Sequence, residues 1–238
     1  MKDSLGDRIK KYESITKHSA LPNMPLVVRV DGKAFHTFTR NCIKPFDKYI
    51  IGGMLRAAMY TATKMQGFKA AYVQSDEVTF VLTDYDTHQT DGWFDYELPK
   101  IISTSAALMS VSFLDIMKEL KPEYIKPNNL PTFDARAFNV PKNDVINMFL
   151  WRALDWKRNS VQMYGQSVFS HKEMQGWNEE NIKRMLIHRG FDWDKDLSNQ
   201  TKYGTFITKK YGTFDYIYTV PTYSDISKLL VDFETLGG

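Results

Sequence analysis

Residues 26–36 read LVVRVDGKAFH, and this stretch decides how the surrounding chain is interpreted. Residues 26–30 form a short apolar run rich in β-branched side chains, which is typical of a buried strand. Asp31 and Gly32 follow directly and are typical of a turn, so the strand is expected to end there. The sequence therefore predicts a buried strand that presents an acidic side chain at its end.

The chain that follows predicts a helix, a hairpin and a second helix. Apolar residues recur with a 3.6-residue period over residues 46–66, with Asp47 in the first turn. Residues 69–73 and 78–82 are strand-like runs joined by Gln-Ser-Asp-Glu, which indicates a hairpin with an acidic tip. Residues 101–117 predict the second helix. This order predicts an α+β fold with helices over one face of a sheet.

A proline-rich stretch divides the chain into two parts. Residues 121–133, KPEYIKPNNLPTF, carry three prolines and two asparagines, which break regular structure. We expect residues 1–130 to form a core module and residues 131–238 to form an α-rich part packed on it, within one structural unit. In the second part, residues 178–189 have the capping chemistry of a helix. The pentapeptide KYGTF occurs twice near the C-terminus and suggests the paired strands of a terminal hairpin.

The composition is that of an ordinary globular protein with nearly balanced charge. The 238 residues include 31 Lys and Arg against 28 Asp and Glu, a formal net charge of +3. This small excess permits a nucleic-acid partner without arguing for one. Cys42 is the one cysteine, which excludes an intramolecular disulfide and a cysteine-based zinc site. We expect no membrane partner, because no run approaches the roughly 20 apolar residues of a span, and we expect a cytoplasmic protein.

Several common catalytic motifs are absent from the sequence. It contains no GxGxxG, no GxxxxGK[ST], no HExxH and no GxSxG. These absences argue against a Rossmann cofactor site, a P-loop, a zincin site and an α/β-hydrolase nucleophile.

Two acidic strand ends are the strongest chemical signal. Asp31 ends the first strand, and Asp76 and Glu77 lie at the hairpin tip, so neighbouring strands would bring these carboxylates to one edge. Close carboxylates repel unless a cation neutralises them, and Mg²⁺ prefers one or two carboxylates together with phosphate oxygens. Two Mg²⁺ ions support in-line displacement at phosphorus. The alternative is that these acids merely form a turn and a hairpin tip.

The residues beside Asp31 fit a triphosphate ligand. Gly32 lets the backbone approach a phosphate closely, and its carbonyl could bind a metal. Arg29, Lys33 and Lys44 bring the positive charge that a triphosphate, with about four negative charges, requires.

Two ring side chains, Phe35 and His36, follow in the same stretch. Either ring could stack on a nucleotide base. Phe35 could equally be a core residue.

Five segments together resemble the tRNA-His guanylyltransferase family, and in particular its branch of 3′-to-5′ polymerases. The resemblance extends over about residues 27–170 in the family's order, and the pairing of RxDGxxFHxF with QSDExxF makes it specific. The segments are VVRVDGKAFHTFTR at 27–40, KPFD at 44–47, AYVQSDEVTFVL at 71–82, PTFDARAFNVP at 131–141 and WRALDWKRNS at 151–160.

The resemblance implies a sheet related to the palm of polymerases, with a metal pair held by carboxylates. It also implies a reaction in which ATP or GTP activates the 5′-monophosphate end of a tRNA. The 3′-hydroxyl of an incoming nucleotide then attacks the activated phosphate. A homo-tetramer, arranged as a dimer of dimers, is implied as well.

Carried over position by position, the resemblance implies the roles of individual residues. Asp31, the Gly32 carbonyl and Asp76 match the Mg²⁺ ligands, and Glu77 is the adjoining acid, so Asp31, Asp76 and Glu77 are the candidate catalytic residues. Nucleotide contacts are implied or predicted for Arg29, Asp31, Gly32, Lys33, Ala34, Phe35, His36, Lys44, Ser75, Asp76 and Asn159.

Three basic residues are candidates for tRNA contacts. Arg136 matches a basic residue near the tRNA end, although an ordinary salt bridge to Asp134 is an equal alternative. Lys157 and Arg158 can hold phosphate without reading a base. They lie in DWKRNSV at residues 155–161, where eukaryotic members have HINNLYN, so this segment resembles the bacterial and archaeal branch.

This departure bears on which reaction the enzyme performs. It favours template-dependent addition that repairs tRNA 5′ ends, with strict addition of G at position −1 of tRNA-His as the alternative. A non-catalytic nucleotide- or RNA-binding palm is a remote alternative, against which the retained acids argue. A nucleotide cyclase with the same palm is a further alternative. It would need no RNA surface, so residues 151–160 and the basic residues beyond them argue against it.

Overall fold

The structure, a computed structural model, describes residues 4–87, 89–210 and 212–230. Residues 231–238 of the predicted C-terminal part lie outside them. The helices of the described residues are α1 Ser4–Ser14, α2 Phe35–Phe38, α3 Lys48–Thr63, α4 Leu98–Leu120, α5 Val145–Val168, α6 Glu179–His188, α7 Trp193–Asp196, α8 Asn199–Tyr203 and α9 Tyr223–Leu229.

The strands of the described residues form one antiparallel sheet in the order β4-β1-β3-β2-β5-β6. In chain order, β1, β2 and β3 lie before residue 130, and β4, β5 and β6 lie after it. Both predicted parts therefore build the same sheet. The strands are β1 Leu26–Gly32, β2 Phe68–Gln74, β3 Glu77–Leu82, β4 Phe133–Asn139, β5 Thr205–Lys210 and β6 Thr213–Ile217.

The first face of the sheet carries the main core, beneath α3 and α4. Alternate side chains of β1 and β3, including Val28, Val30 and Phe80, point to this face and are fully buried. Met54 of α3 and Phe113 of α4 pack in the same cluster. The predicted helices and hairpin are present, so the α+β class and the antiparallel sheet are confirmed.

The second face of the sheet is covered by α5 and α9. Val27, Tyr72 and Val81 point to this face and pack with Phe149 of α5 and Ile226 of α9. The sheet is thus buried between two helical layers. The second layer comes from the part of the chain that was predicted to pack on the core module.

The C-terminal hairpin that the KYGTF repeat suggests is present, because β5 and β6 pair with each other. Its first copy ends α8 and begins β5, while Tyr211 of the second copy lies outside the described residues. Gly204 has a positive φ of 73°, and a Cβ there would lie 2.7 Å from the Val73 carbonyl oxygen. This close approach lets β5 pair with β2. The hairpin therefore extends the central sheet.

One helix among the described residues, α4, is long and apolar enough to cross a membrane by length and composition, although no such segment was predicted. Its buried side chains include Ile101, Met109, Phe113 and Met117. These side chains pack in the core beneath the sheet. Core packing thus accounts for part of the apolar character of α4, because 33% of its apolar window is buried.

Asp47 fixes the start of α3 and the segment that precedes it. Its carboxylate accepts hydrogen bonds from the backbone of Tyr49 and Ile50, as a helix cap does. It also accepts from the Ile43 N–H at 3.0 Å and from the Tyr124 hydroxyl at 2.7 Å. The side chain is buried, so all four donors depend on one acceptor group.

We expect Asp47→Ala to lower the free energy of unfolding by about 2 kcal/mol, because it removes a helix cap and leaves partly buried donors without an acceptor. Urea unfolding followed by circular dichroism measures the change. Asp115→Ala, at an exposed position of α4, is the control and is expected to change stability by less than about 0.5 kcal/mol. Equal unfolding midpoints for the two variants would contradict the role of Asp47.

Candidate active site

Asp31 and Asp76 lie together at one end of the sheet. Asp31 is near the end of β1, and Asp76 is in the turn that joins β2 to β3. The Gly32 N–H donates a hydrogen bond to the Asp76 carbonyl at 3.0 Å. A Cβ on Gly32 would lie 2.9 Å from Asp76 Oδ2, so the carboxylate sits directly against the Gly32 backbone. The structure brings the three predicted metal ligands together.

Two tight backbone turns shape this end of the sheet. Ser75 has a φ of 48° and Ala34 has a φ of 50°, both in the left-handed region that non-glycine residues rarely adopt. Each costs on the order of 1–2 kcal/mol and persists only where the surrounding structure imposes it. Such positions cluster at functional sites.

The two acids share an environment that disfavours their negative charge. Burial raises the pKa of Asp76, and the charges of Asp31 and Glu77 raise it further, against hydrogen bonds that lower it. Burial also raises the pKa of Asp31, followed by the charge of Asp134. A cation bound between the acids would relieve both effects.

The donor set fits Mg²⁺. Among the residues that the structure describes, no group of three or more His, Cys, Asp or Glu side chains is arranged as a metal site. Two carboxylates and a backbone carbonyl remain, and Mg²⁺ typically takes one or two carboxylates with waters and substrate phosphates. Asp31, Asp76 and the Gly32 carbonyl are the residues that would hold it.

Glu77 differs from the other two acids because it is paired with an arginine. Arg152 Nε and Nη2 donate to Glu77 Oε1 and Oε2, each at 2.8 Å. Gln74 Nε2 donates to Oε1 as well, at 3.2 Å. Arg152 was not predicted as a site residue, since no local pattern links positions 77 and 152. A catalytic role for Glu77 stays a prediction.

A cavity of about 470 Å³ opens from Asp31 and Asp76. Its lining also includes the apolar side chains of Ile43, Phe46 and Ile50, which suit a nucleotide base better than a phosphate. The predicted nucleotide-binding residues that line it are Asp31, Gly32, Ala34, Phe35, His36, Lys44, Ser75 and Asp76.

Phe35 belongs to the core, the second of its two interpretations. Its side chain is buried, and its ring lies 5.2 to 5.6 Å from the rings of Phe38, Phe113 and Phe133. A Cβ on Gly32 would lie 2.5 Å from the Phe35 ring. Gly32 is therefore required by the packing of this ring as well as by the approach of Asp76. Base stacking by this ring would require it to leave the core.

A second cavity of about 360 Å³ shares Asp31 and Asp76 with the first. Asn159 lines it from α5, one and two turns before Gln162 and Gln166. The two glutamines were not predicted, although their spacing from Asn159 places all three amides on one helix face. The acids thus lie between two cavities.

Arginines and acids alternate on the sheet face beside this site. In the β1–β4 register Arg29 is opposite Arg136, and Asp31 is opposite Asp134. Arg136 makes only a long contact of 4.0 Å to Asp134, so the alternative salt bridge is present but weak. Arg29 forms no salt bridge with any described residue.

The remaining basic candidates line neither cavity. Lys33 is exposed and lines neither cavity. Lys157 pairs with Glu179 at 2.9 Å, and Arg158 pairs with Asp155. Salt bridges this exposed contribute little to stability, so both cations can exchange their carboxylate for a phosphate.

Comparisons with known proteins agree with this geometry. The sequence model of the tRNAHis guanylyltransferase family matches residues 6–141. The tRNA(His) guanylyltransferase of Debaryomyces hansenii is 32% identical over 165 residues, which cover 68% of this chain and 60% of that protein.

Two solved structures are similar over nearly the whole chain. A bacterial tRNA(His) guanylyltransferase-like protein in complex with ATP is 34% identical, with a TM-score of 0.89 over 98% of this chain and 100% of that chain. A structure of such a protein in complex with GTP is 32% identical, with a TM-score of 0.80 over the same shares. The resemblance found in the sequence motifs is confirmed, and the chain belongs to the tRNAHis guanylyltransferase family.

Proposed function

We propose that this chain is a Mg²⁺-dependent 3′–5′ nucleotidyltransferase that repairs tRNA 5′ ends. A nucleoside triphosphate, ATP or GTP, activates the 5′-monophosphate of the tRNA with release of pyrophosphate. The 3′-hydroxyl of an incoming nucleotide then attacks the activated phosphate and displaces the nucleoside monophosphate. The position of Asp31 and Asp76 between two cavities carries this proposal.

The proposed reaction brings two substrates to one phosphorus atom, and the two cavities provide a place for each. The first is large enough for a nucleotide, and its apolar side chains suit the base. The second is bordered by Asn159, Gln162 and Gln166, whose amides can both donate and accept hydrogen bonds. Because both open onto Asp31 and Asp76, groups bound in them would meet at the acids.

The charged residues of the site would bind metal ions or phosphate groups, according to where each one lies. Two Mg²⁺ ions held by Asp31, Asp76 and the Gly32 carbonyl would supply neutralisation of the phosphate charge. Lys44 lines the first cavity and can bind the triphosphate there. Arg29 and Arg136 form a pair of guanidinium groups suited to a phosphate on the adjoining sheet face.

The tRNA partner and the working assembly are further parts of the proposal. Arg136, Lys157 and Arg158 would contact the tRNA backbone near its 5′ end. The ATP and GTP complexes of similar bacterial proteins support these nucleotides as substrates. We infer a homo-tetramer from the family resemblance, and a cytoplasmic location from the single cysteine.

Strict guanylylation of tRNA-His is the second candidate function. The names of eukaryotic relatives favour it. The partly exposed Lys157 and the exposed Arg158 favour repair, because cations recognise phosphate charge and leave base choice to the template.

The two functions differ in which nucleotide is added. We expect the enzyme to restore the first nucleotide of truncated tRNAs opposite each of the four template bases, with the complementary nucleotide preferred each time. Single-turnover transfer of each labelled nucleoside triphosphate to four tRNAs that differ at the template position measures this preference. Addition of G alone, whatever base lies opposite, would identify the strict enzyme.

Asp31→Asn and Asp76→Asn test the assignment of the acids. Each removes one carboxylate from a site built on two, so we expect transfer to fall by at least about 100-fold. Asp115→Asn, at an exposed position on α4, is the control and should transfer at the wild-type rate. Near-normal transfer by either active-site variant would exclude its carboxylate from the mechanism.

The raised pKa of Asp76 predicts an effect on stability without any substrate. A carboxyl whose pKa is higher in the folded state stabilises the fold below its unfolded pKa, and this stability is lost as the pH rises through the folded pKa. In EDTA at about pH 7 we therefore expect Asp76→Asn to melt at a higher temperature than wild type, with a smaller difference at about pH 4.

Mg²⁺ should reverse the order of the two melting temperatures, so that wild type melts higher than Asp76→Asn. Differential scanning fluorimetry with excess Mg²⁺ should raise the Tm of wild type and leave that of Asp76→Asn unchanged. A variant that melts lower than wild type in EDTA would contradict the unfavourable charge of Asp76 in the fold. A variant that gains as much from Mg²⁺ as wild type does would exclude Asp76 as a ligand.

A further inference from the structure

Arg152 forms a largely buried ion pair with Glu77 beside the site. It holds Glu77 by two parallel hydrogen bonds of 2.8 Å, a fork geometry that only arginine offers a carboxylate. The Arg152 and Glu77 side chains are 11% and 14% exposed, so the pair is largely shielded from water. Glu77 begins β3, directly after Asp76. The fork therefore ties the turn that bears Asp76 to the middle of α5.

The same guanidinium also contacts the next turn of α5. Arg152 Nη1 lies 3.4 Å from Asp155 Oδ2. Asn159 Nδ2 donates to that same carboxylate oxygen at 3.3 Å. A continuous chain of polar contacts thus runs from Glu77 through Arg152 and Asp155 to Asn159. Its two ends lie beside Asp76 and in the wall of the second cavity.

We propose that Arg152 is a positioning residue that holds Asp76 and Asn159 at a fixed separation across the second cavity. Arg152 lines the second cavity, but its guanidinium groups are bonded to Glu77 on one side and Asp155 on the other, and it acts through these two acids. The inference rests on the proposed function, because it gives Asp76 and Asn159 roles in binding a divalent cation and a nucleotide. It makes Glu77 a part of this brace.

A purely electrostatic role and a positioning role for Arg152 predict opposite changes in the affinity for a divalent cation when Arg152 is removed. An unpaired Glu77 carboxylate next to Asp76 would add negative charge and attract a divalent cation more strongly. Loss of the brace would instead free the turn and Asn159 and weaken binding of the cation. The sign of the change in cation affinity therefore separates a positioning role from a purely electrostatic one.

The experiment compares Arg152→Gln and Arg152→Lys with a matched control. Arg56 on α3 holds Glu119 of α4 by the same kind of fork, at 3.3 and 2.9 Å, although these side chains are 46% and 66% exposed. Arg56→Gln therefore removes a fork of the same geometry outside both cavities. Binding of Mn²⁺ in the absence of nucleotide, followed by electron paramagnetic resonance, gives the cation Kd. Transfer assays give kcat and the KM for GTP.

We expect Arg152→Gln to raise the Mn²⁺ Kd and the KM for GTP by about tenfold each, as loss of a residue that orients a ligand does. Arg56→Gln should stay within about twofold of wild type. Arg152→Lys should have a Mn²⁺ Kd and a KM for GTP between those of wild type and Arg152→Gln, because one ammonium group cannot bridge Glu77 and Asp155 at once. If Arg152→Gln does not unfold cooperatively, Arg152→Lys carries the comparison.

Unchanged or tighter Mn²⁺ binding by Arg152→Gln would overturn the proposal, and so would full recovery in Arg152→Lys. An effect of equal size in Arg56→Gln would also overturn it, by showing a general loss of stability. If wild type binds Mn²⁺ but transfers no nucleotide, the proposed function fails. The Mn²⁺ comparison still decides the role of Arg152 in that case.

Discussion

The contact between the Asp76 carboxylate and the backbone of Gly32 is the constraint on which this site depends. It requires β1 and the β2–β3 turn to meet at one end of the sheet, which the antiparallel register of β1 and β3 provides. It also excludes any side chain at position 32, where the Phe35 ring approaches from the core. One glycine thus links core packing to the placement of an acid. The raised pKa values of Asp31 and Asp76 follow mainly from burial at this end of the sheet.

Local patterns were sufficient for the elements that carry the acids. The apolar run before Asp31 predicted β1, the 3.6-residue period predicted α3, and the acidic tip between two short runs predicted the hairpin. From these strands alone the meeting of Asp31 and Asp76 could be expected, because strand ends share an edge when the strands pair. The boundaries shifted by a few residues, as at α3, which begins after its cap Asp47.

Contacts between distant parts of the chain could not be predicted in this way. Arg152 and Glu77 are 75 positions apart, and neither lies in a pattern that indicates the other. The pairing of β5 with β2 depends on the approach of Gly204 to the Val73 carbonyl, and this is a tertiary contact between residues far apart in the sequence. The choice between core and base stacking for Phe35 likewise depends on which rings surround it. These features make the second helical layer, and α5 in particular, part of the site.

The near-neutral charge of the chain conceals a strongly ordered charge pattern at this end of the sheet. The β1–β4 register sets Arg29 opposite Arg136 and Asp31 opposite Asp134, and each of these like-charge pairs is unfavourable on its own. Side by side, the two pairs form a positive row next to a negative row. A divalent cation bound to a phosphate presents the complementary order, with its cation toward the acids and its oxygens toward the guanidinium groups. The repulsion within each row is then the property that favours such a ligand, and a net charge of +3 contains no trace of it.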